Sequence, residues 1–111
     1  MTWCSLAQAN FTCAGGISYL GVNSLGTVYV AVGPFGIWPI CGLTGSMSNG
    51  GSTVGMDSCK AWYAALLAQK AAGQGVTLYF TSTANTANGP ECTALTSWVV
   101  PNPLPYHIDY Q

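Results

Sequence analysis

The segment from Asp57 to Ala72 is the one stretch of this 111-residue chain with a helical repeat, and its position limits the folds available. Cys59, Trp62, Tyr63, Leu66, Leu67 and Ala71 recur at spacings of three and four, a stripe that would face a core. Asp57 places a negative charge in the first turn, where the helix dipole favours it, and Gly73 supplies the stop. The other periodic stretches alternate with a period of two. Val28, Val30 and Val32 share one face of a strand whose other face carries Thr27, Tyr29 and Ala31, and Val76, Leu78 and Phe80 point inward from another.

Strand-like runs at 17–22, 27–32 and 38–43 precede the helix, and runs at 75–80 and 93–100 follow it. Strand, strand, strand, helix, strand, strand is the element order of the five-stranded OB barrel. The expected fold is therefore mainly β with one α-helix, a five-stranded OB-fold barrel over residues 16–100. Residues 1–15 read as an N-terminal arm and residues 101–111 as an extended tail. Pro101, Pro103 and Pro105 lack the ladder donor and bar the tail from a central strand. Beyond them Tyr106, Ile108 and Tyr110 alternate well enough to form one extra edge strand, able to pair with another copy of the chain. The loops 44–55 and 81–90 are polar and aperiodic.

Charge narrows the function classes. Half the residues are apolar and only 5% are charged, against about a quarter in typical soluble domains. Two lysines and no arginine cannot supply the several phosphate contacts that nucleic acid requires. A net charge of −1 also repels other copies weakly, which favours a homo-oligomer. No apolar run reaches the roughly 20 residues of a membrane-spanning helix. The start, Met1-Thr2-Trp3-Cys4, lacks a basic region and an apolar stretch, so the expectation is a mature secreted chain that has lost its signal peptide.

Five cysteines in so short and uncharged a chain favour an oxidising compartment. No CxxC occurs and the spacings fit no zinc pattern, so neither a metal nor any other cofactor is implied. The favoured pairing is Cys4–Cys13, closing the N-terminal arm, and Cys41–Cys92, tying the third strand to the last hairpin. Cys59 would remain a reduced, buried thiol in the helix. Asn10-Phe11-Thr12 is a glycosylation sequon, relevant in a eukaryotic secretory route.

No catalytic constellation is visible. His107 and Asp109 are the one plausible acid–base pair, but in an extended strand they would sit about 6 to 7 Å apart on one side, too loose for an oriented dyad. Nothing in the sequence makes Asp57 and Glu91 meet as a glycosidase pair. The aromatics carry more. Trp3, Trp38 and Trp98 each lie beside a loop, a proline or a strand end, and exposed rings beside amides and hydroxyls are what sugar binding needs. The ring covers the apolar C–H face, and polar side chains pair with the hydroxyls. Trp3, Trp38, Asn49, Asn85 and Trp98 are thus the candidate ligand-binding residues, with Ser46, Ser48, Ser52 and Asn88 available nearby.

Two motifs add a resemblance. Lys60, the apolar helix with Leu66-Leu67, and Gly73-Gln74-x-Val76 leading into a strand resemble the B subunits of the subtilase cytotoxin group, relatives of pertussis-type toxin B subunits. Gly26-Thr27-Val28-Tyr29-Val30, followed by a cysteine-bearing strand, is similar to small secreted bacterial proteins of that type. The resemblance spans residues 16–98. It implies an OB barrel assembled into a ring, commonly a pentamer, that binds host glycans and docks a toxin A chain. No sugar-contacting residue of the family maps onto this chain. The expectation is a secreted, non-enzymatic, oligomeric glycan-binding module. The alternative is a structural subunit of an extracellular filament, joined by strand addition through Tyr106, Ile108 and Tyr110.

Overall fold

In the computed structural model the described residues are 11–81 and 92–110. The first strand, β1, runs from Phe11 to Val22 and is followed by β2 (Thr27–Val32) and β3 (Ile37–Gly42). A small hairpin of β4 (Met47–Asn49) and β5 (Ser52–Val54) leads into the helix α1 (Met56–Ala71). Next come β6 (Gly75–Phe80), a 3₁₀ turn (Cys92–Ala94) and β7 (His107–Tyr110).

Five strands form one antiparallel sheet in the order β3-β2-β1-β6-β7, and β4-β5 form a separate two-stranded sheet. β1 serves two partners because it bends. Its first half, Phe11 to Gly16, pairs with β6, and its second half, from Ile17 on, pairs with β2. The register slips between Ile17 and Tyr19, a bulge that bends the strand and increases its twist. Ser18 occupies that bulge, its hydroxyl 3.3 Å from both the Ala31 and Gly33 carbonyls.

The inner face follows from period-two alternation, interrupted on β3 by a register shift that leaves the adjacent Ile40 and Cys41 both buried. Cys13 of β1, Val28, Val30 and Val32 of β2, Ile40 and Cys41 of β3, Val76, Leu78 and Phe80 of β6 and Ile108 of β7 form one buried cluster. Cys59 and Leu66 of α1 cover it. Each such side chain contributes about 1.5–3 kcal/mol when fully buried. The helical stripe is narrower than expected: Leu67 stays 46% exposed, while Trp62 and Tyr63 pack at the margin. The helix ends in a Schellman motif, Gln74 N–H donating to the Gln69 carbonyl and Gly73 N–H to that of Lys70.

Several expectations are corrected. The sheet is not a closed barrel, because β3 and β7 stand at opposite edges and no ladder joins them among the described residues. The run 93–100 is not a strand. After the 3₁₀ turn it continues irregularly, and Trp98 adopts φ +69, which no strand accommodates. Strand β1 begins at Phe11, so residues 11–15 belong to the sheet rather than to an arm. The tail belongs to the core: Pro103, Leu104 and Pro105 are fully buried, and Ile108 pairs opposite Leu78.

The disulfides are Cys13–Cys92 and Cys41–Cys59, with Cα separations of 5.7 and 5.5 Å. Cys13 points inward opposite Leu78 and meets the 3₁₀ turn, and Cys41 meets the helix that covers β3. The expected Cys4–Cys13 and Cys41–Cys92 bonds are therefore not formed, and Cys59 is not a free thiol. Cys4 itself lies outside the described residues.

Candidate functional site: an aromatic platform on the outer face of the sheet

Because Val28 and Val30 face the core, Tyr29 between them points to the outer face of β2. Gly21 stands directly across from Tyr29, and Tyr19 across from Ala31, on the neighbouring strand. A Cβ added to Gly21 would fall 2.9 Å from Tyr19 Oη and 3.1 Å from its Cε1. The Tyr19 ring therefore lies across the bare backbone of Gly21, toward Tyr29.

Trp98 completes the group. Its ring centroid is 5.5 Å from that of Tyr29 in a tilted contact and 6.0 Å from that of Tyr19 edge-on. Such pairings contribute about 0.5–1.5 kcal/mol beyond the area they bury. Two hydrogen bonds fix the tryptophan's backbone: Ile37 N–H donates to Ser97 Oγ at 3.0 Å, and Trp98 N–H donates to the Ile37 carbonyl at 2.6 Å. Gly36 makes room for the clip, since a Cβ there would meet Ser97 Cα at 3.1 Å and Cβ at 2.9 Å. Trp98 still exposes 57% of its surface and Tyr19 40%. A large non-glycine residue at φ +69 costs about 1 kcal/mol or more and persists only where its surroundings hold it.

Neutral polar groups border the rings. Asn23 Oδ1 accepts from Leu25 N–H and Thr27 N–H, both at 2.9 Å, shaping the β1–β2 turn. Its Nδ2 lies 3.5 Å from Tyr29 Oη. The exposed Val99 belongs to the same loop as Trp98, whereas Val22, opposite Val28, has the parity of the inner face.

A second cluster lies on β6 and β7. Tyr79 Oη donates to Asp109 Oδ2 at 2.7 Å, and His107 Nε2 stands 2.7 Å from Asp109 Oδ1. The rings of His107 and Tyr106 flank Tyr79 at 5.1 and 6.2 Å. The hydrogen bond from Tyr79, and next that from His107, hold the Asp109 carboxyl below its usual range, and the same bond to Asp109 pushes the Tyr79 phenol up. His107 and Asp109 thus meet where an ideal strand would leave them apart, but both carboxylate oxygens are engaged within the cluster.

Of the sequence-derived candidates among the described residues, Trp98 alone forms part of the platform. Trp38 is fully buried opposite Val30 on the inner face, edge-on to Phe80 at 5.8 Å, so its ring has no face to offer a sugar. Its indole Nε1 has no hydrogen-bond partner among the described residues. Asn49 is structural: its Nδ2 donates to the Pro101 carbonyl at 3.0 Å and approaches that of Val100 at 3.4 Å. Ser48 is likewise paired, its hydroxyl 2.7 Å from that of Thr53 across the small hairpin. Trp3, Asn85 and Asn88 lie outside the described residues, as does Glu91. Of the assembly residues, Ile108 fills its own core, while Tyr106, just before β7, and Tyr110, on the strand paired with β6, remain half-exposed. Sequence reasoning missed Tyr19 and Tyr29. The signal was present in the alternation that puts Tyr29 opposite the valine stripe, and in a glycine two residues after Tyr19.

No helix among the described residues is long and apolar enough to cross a membrane, and no group of three or more metal-ligating side chains occurs among them. Two disulfides fit an oxidising compartment. No protein-family model, no curated protein and no solved structure matches the chain.

Proposed function

We propose that this protein is a secreted, non-enzymatic glycan-binding module whose site is the Tyr19–Tyr29–Trp98 platform. One observation carries the proposal: a majority-exposed tryptophan is held at a costly backbone angle by two hydrogen bonds to Ile37, against two outward tyrosines. A surface ring fixed in this way has already lost its rotational freedom, so a bound sugar need not pay to order it. The sugar's C–H face would lie on the Trp98 indole, and the hydroxyls of Tyr19 and Tyr29 would bond its rim. A single shallow site of this kind binds weakly, and a homo-oligomer would compensate through multivalency. A glycan array probed with the intact protein and with Trp98→Ala tests this. Binding to a defined glycan set that disappears in the variant is the expected result, and silence of the intact protein across the array overturns it.

The same proposal extends to the fold, as an open version of the OB barrel. The sharing of β1 between β6 and β2 supports it. So does the segment after the 3₁₀ turn, which bonds to β3 through Trp98 and to β4 through Leu104 N–H and the Asn49 carbonyl. A ring of copies and a docked toxin A chain belong to the same resemblance-based proposal.

A second reading, the filament subunit, retains one supporting observation: β7 stands at an edge of the sheet. Its form changes, because donating the tail would strip Ile108 from the core. Another copy would instead add a strand to the outer side of β7. Sedimentation over a range of concentrations separates the two, since a closed ring keeps one size and a filament grows.

A further inference from the structure

The platform is surrounded by a distribution of charge that limits its ligand. The chain has two cationic side chains, Lys60 and Lys70, and no arginine. Both lysines are on α1, which is anchored to the inner face by the Cys41–Cys59 bond and by Leu66. Cys41 pairs opposite Val28 in the sheet, while Tyr29 takes the opposite parity on β2. The helix and its lysines therefore lie behind the sheet relative to the platform rings. On the outer side the described charged group is Asp109, an acid, partnered by Tyr79 and His107 on the far strands.

We infer that the platform selects neutral glycans, those ending in an uncharged hexose or pentose, and discriminates against sialylated, sulfated and uronic-acid-terminated ones. This inference rests on the proposed glycan-binding role and names the ligand class of that same site. An anionic sugar placed on the rings would lose part of its hydration. The neighbouring groups that could replace that water are neutral: the hydroxyls of Tyr19 and Tyr29 and the Asn23 carboxamide, whose oxygen is already shared by two backbone donors. Among the described residues no guanidinium or ammonium stands on this face to make the charge-assisted pair that offsets carboxylate desolvation. A neutral sugar pays no such cost, because its C–H face replaces water on the indole and its hydroxyls exchange one neutral partner for another. The long-range field points the same way, since the net charge of −1 gives no attraction for an anion.

The test uses the intact protein and matched oligosaccharides that differ only in their terminus. A galactose-terminated chain, the same chain capped with sialic acid, and its sulfated form are titrated calorimetrically at about 50 mM and about 500 mM salt. The neutral ligand is expected to bind with the same affinity at both salt concentrations, and both anionic caps to weaken binding about tenfold or more. Tyr29→Ala and Trp98→Ala are each expected to remove the neutral binding. Tighter binding of a capped ligand, falling as salt rises, would overturn the neutral-ligand inference while leaving the platform as a glycan site. Binding of none of the three, together with silence on the array, would overturn both.

Discussion

The backbone N–H of Trp98 and the carbonyl of Ile37 are joined by a 2.6 Å hydrogen bond, and this link between a loop and the start of β3 holds the indole over the sheet. It is reinforced by Ile37 N–H donating to Ser97 Oγ, so two adjacent loop residues grip one strand residue from both sides. The loop pays for the geometry in backbone strain at Trp98.

That strain is measurable. Trp98→Gly relieves the φ +69 conformation, whereas Trp98→Ala keeps it, so the glycine variant is expected to be about 1 kcal/mol more stable than the alanine variant. Both should lose ligand equally. Chemical denaturation of the two, side by side, checks this, and equal stability would show that the clip does not enforce the angle.

Gly21→Ala separates the site from the fold. The added methyl collides with the Tyr19 ring, a flexible side chain that can swing away, and alanine suits a strand better than glycine. Melting temperature is expected to hold or rise while glycan affinity falls several-fold. A stable variant with unchanged affinity would remove Tyr19 from the site.

The disulfide pairing has a direct readout. Mass mapping of non-reduced peptides should recover Cys13–Cys92 and Cys41–Cys59, and a Cys41–Cys92 peptide would contradict the helix docking described here. The two bonds close loops of 79 and 18 residues, so the chain-entropy account gives about 4.5 and about 3 kcal/mol, respectively, on removal. Paired Cys→Ala variants of each bond, compared by denaturation, test that order.

Acid stability depends on the β6–β7 cluster. The Asp109 carboxyl is held below its ordinary 3.8, first by Tyr79 and then by His107, so folding favours its charged form. The stabilisation is fully present above the ordinary value and is lost as pH falls through the lower, folded one. Tyr79→Phe removes the larger of the two bonds. Its melting temperature should sit below that of the wild-type chain near neutral pH, and the gap should close as pH falls through the lowered, folded-state range of the Asp109 carboxyl. A gap constant across that range would exclude Asp109 as its source.

Much of this architecture was legible in the chain. The strands Thr27–Val32 and Gly75–Phe80 follow from strong alternation, because burial on one face writes itself into the spacing of apolar residues. The helix, expected over residues 57–72 and found over Met56–Ala71, buries only Cys59 and Leu66 of its expected stripe. Alternation failed at 93–100, where Leu95 and Val99 suit a strand but no ladder receives one among the described residues. The tail was misjudged for the opposite reason: its prolines forbid a central strand but do not forbid burial, and Leu104 is fully enclosed beside them. The disulfides were not legible, because Cys13 meets Cys92 only once β1 has registered with β6.

The site was legible in part. Trp98 stood out as a large ring beside a proline-rich tail, and its exposure agrees with that placing. Trp38 looked similar, flanked by Ile37 and Pro39, but the register with Val30 turns it inward. Asn49 carries a carboxamide of the kind that binds sugar, yet its donors go to the Val100 and Pro101 carbonyls. Local chemistry identifies what a side chain is able to hold, and only the register decides which partner reaches it.

The most direct test of the platform is a two-dimensional NMR titration of the uniformly labelled protein with a bound neutral oligosaccharide. The account expects the largest shifts at the Trp98 indole, the Tyr19 and Tyr29 rings and the Ile37 amide, with the Trp38 indole unmoved. Shifts centred instead on Tyr79, His107 and Asp109, or on the outer edge of β7, would contradict it.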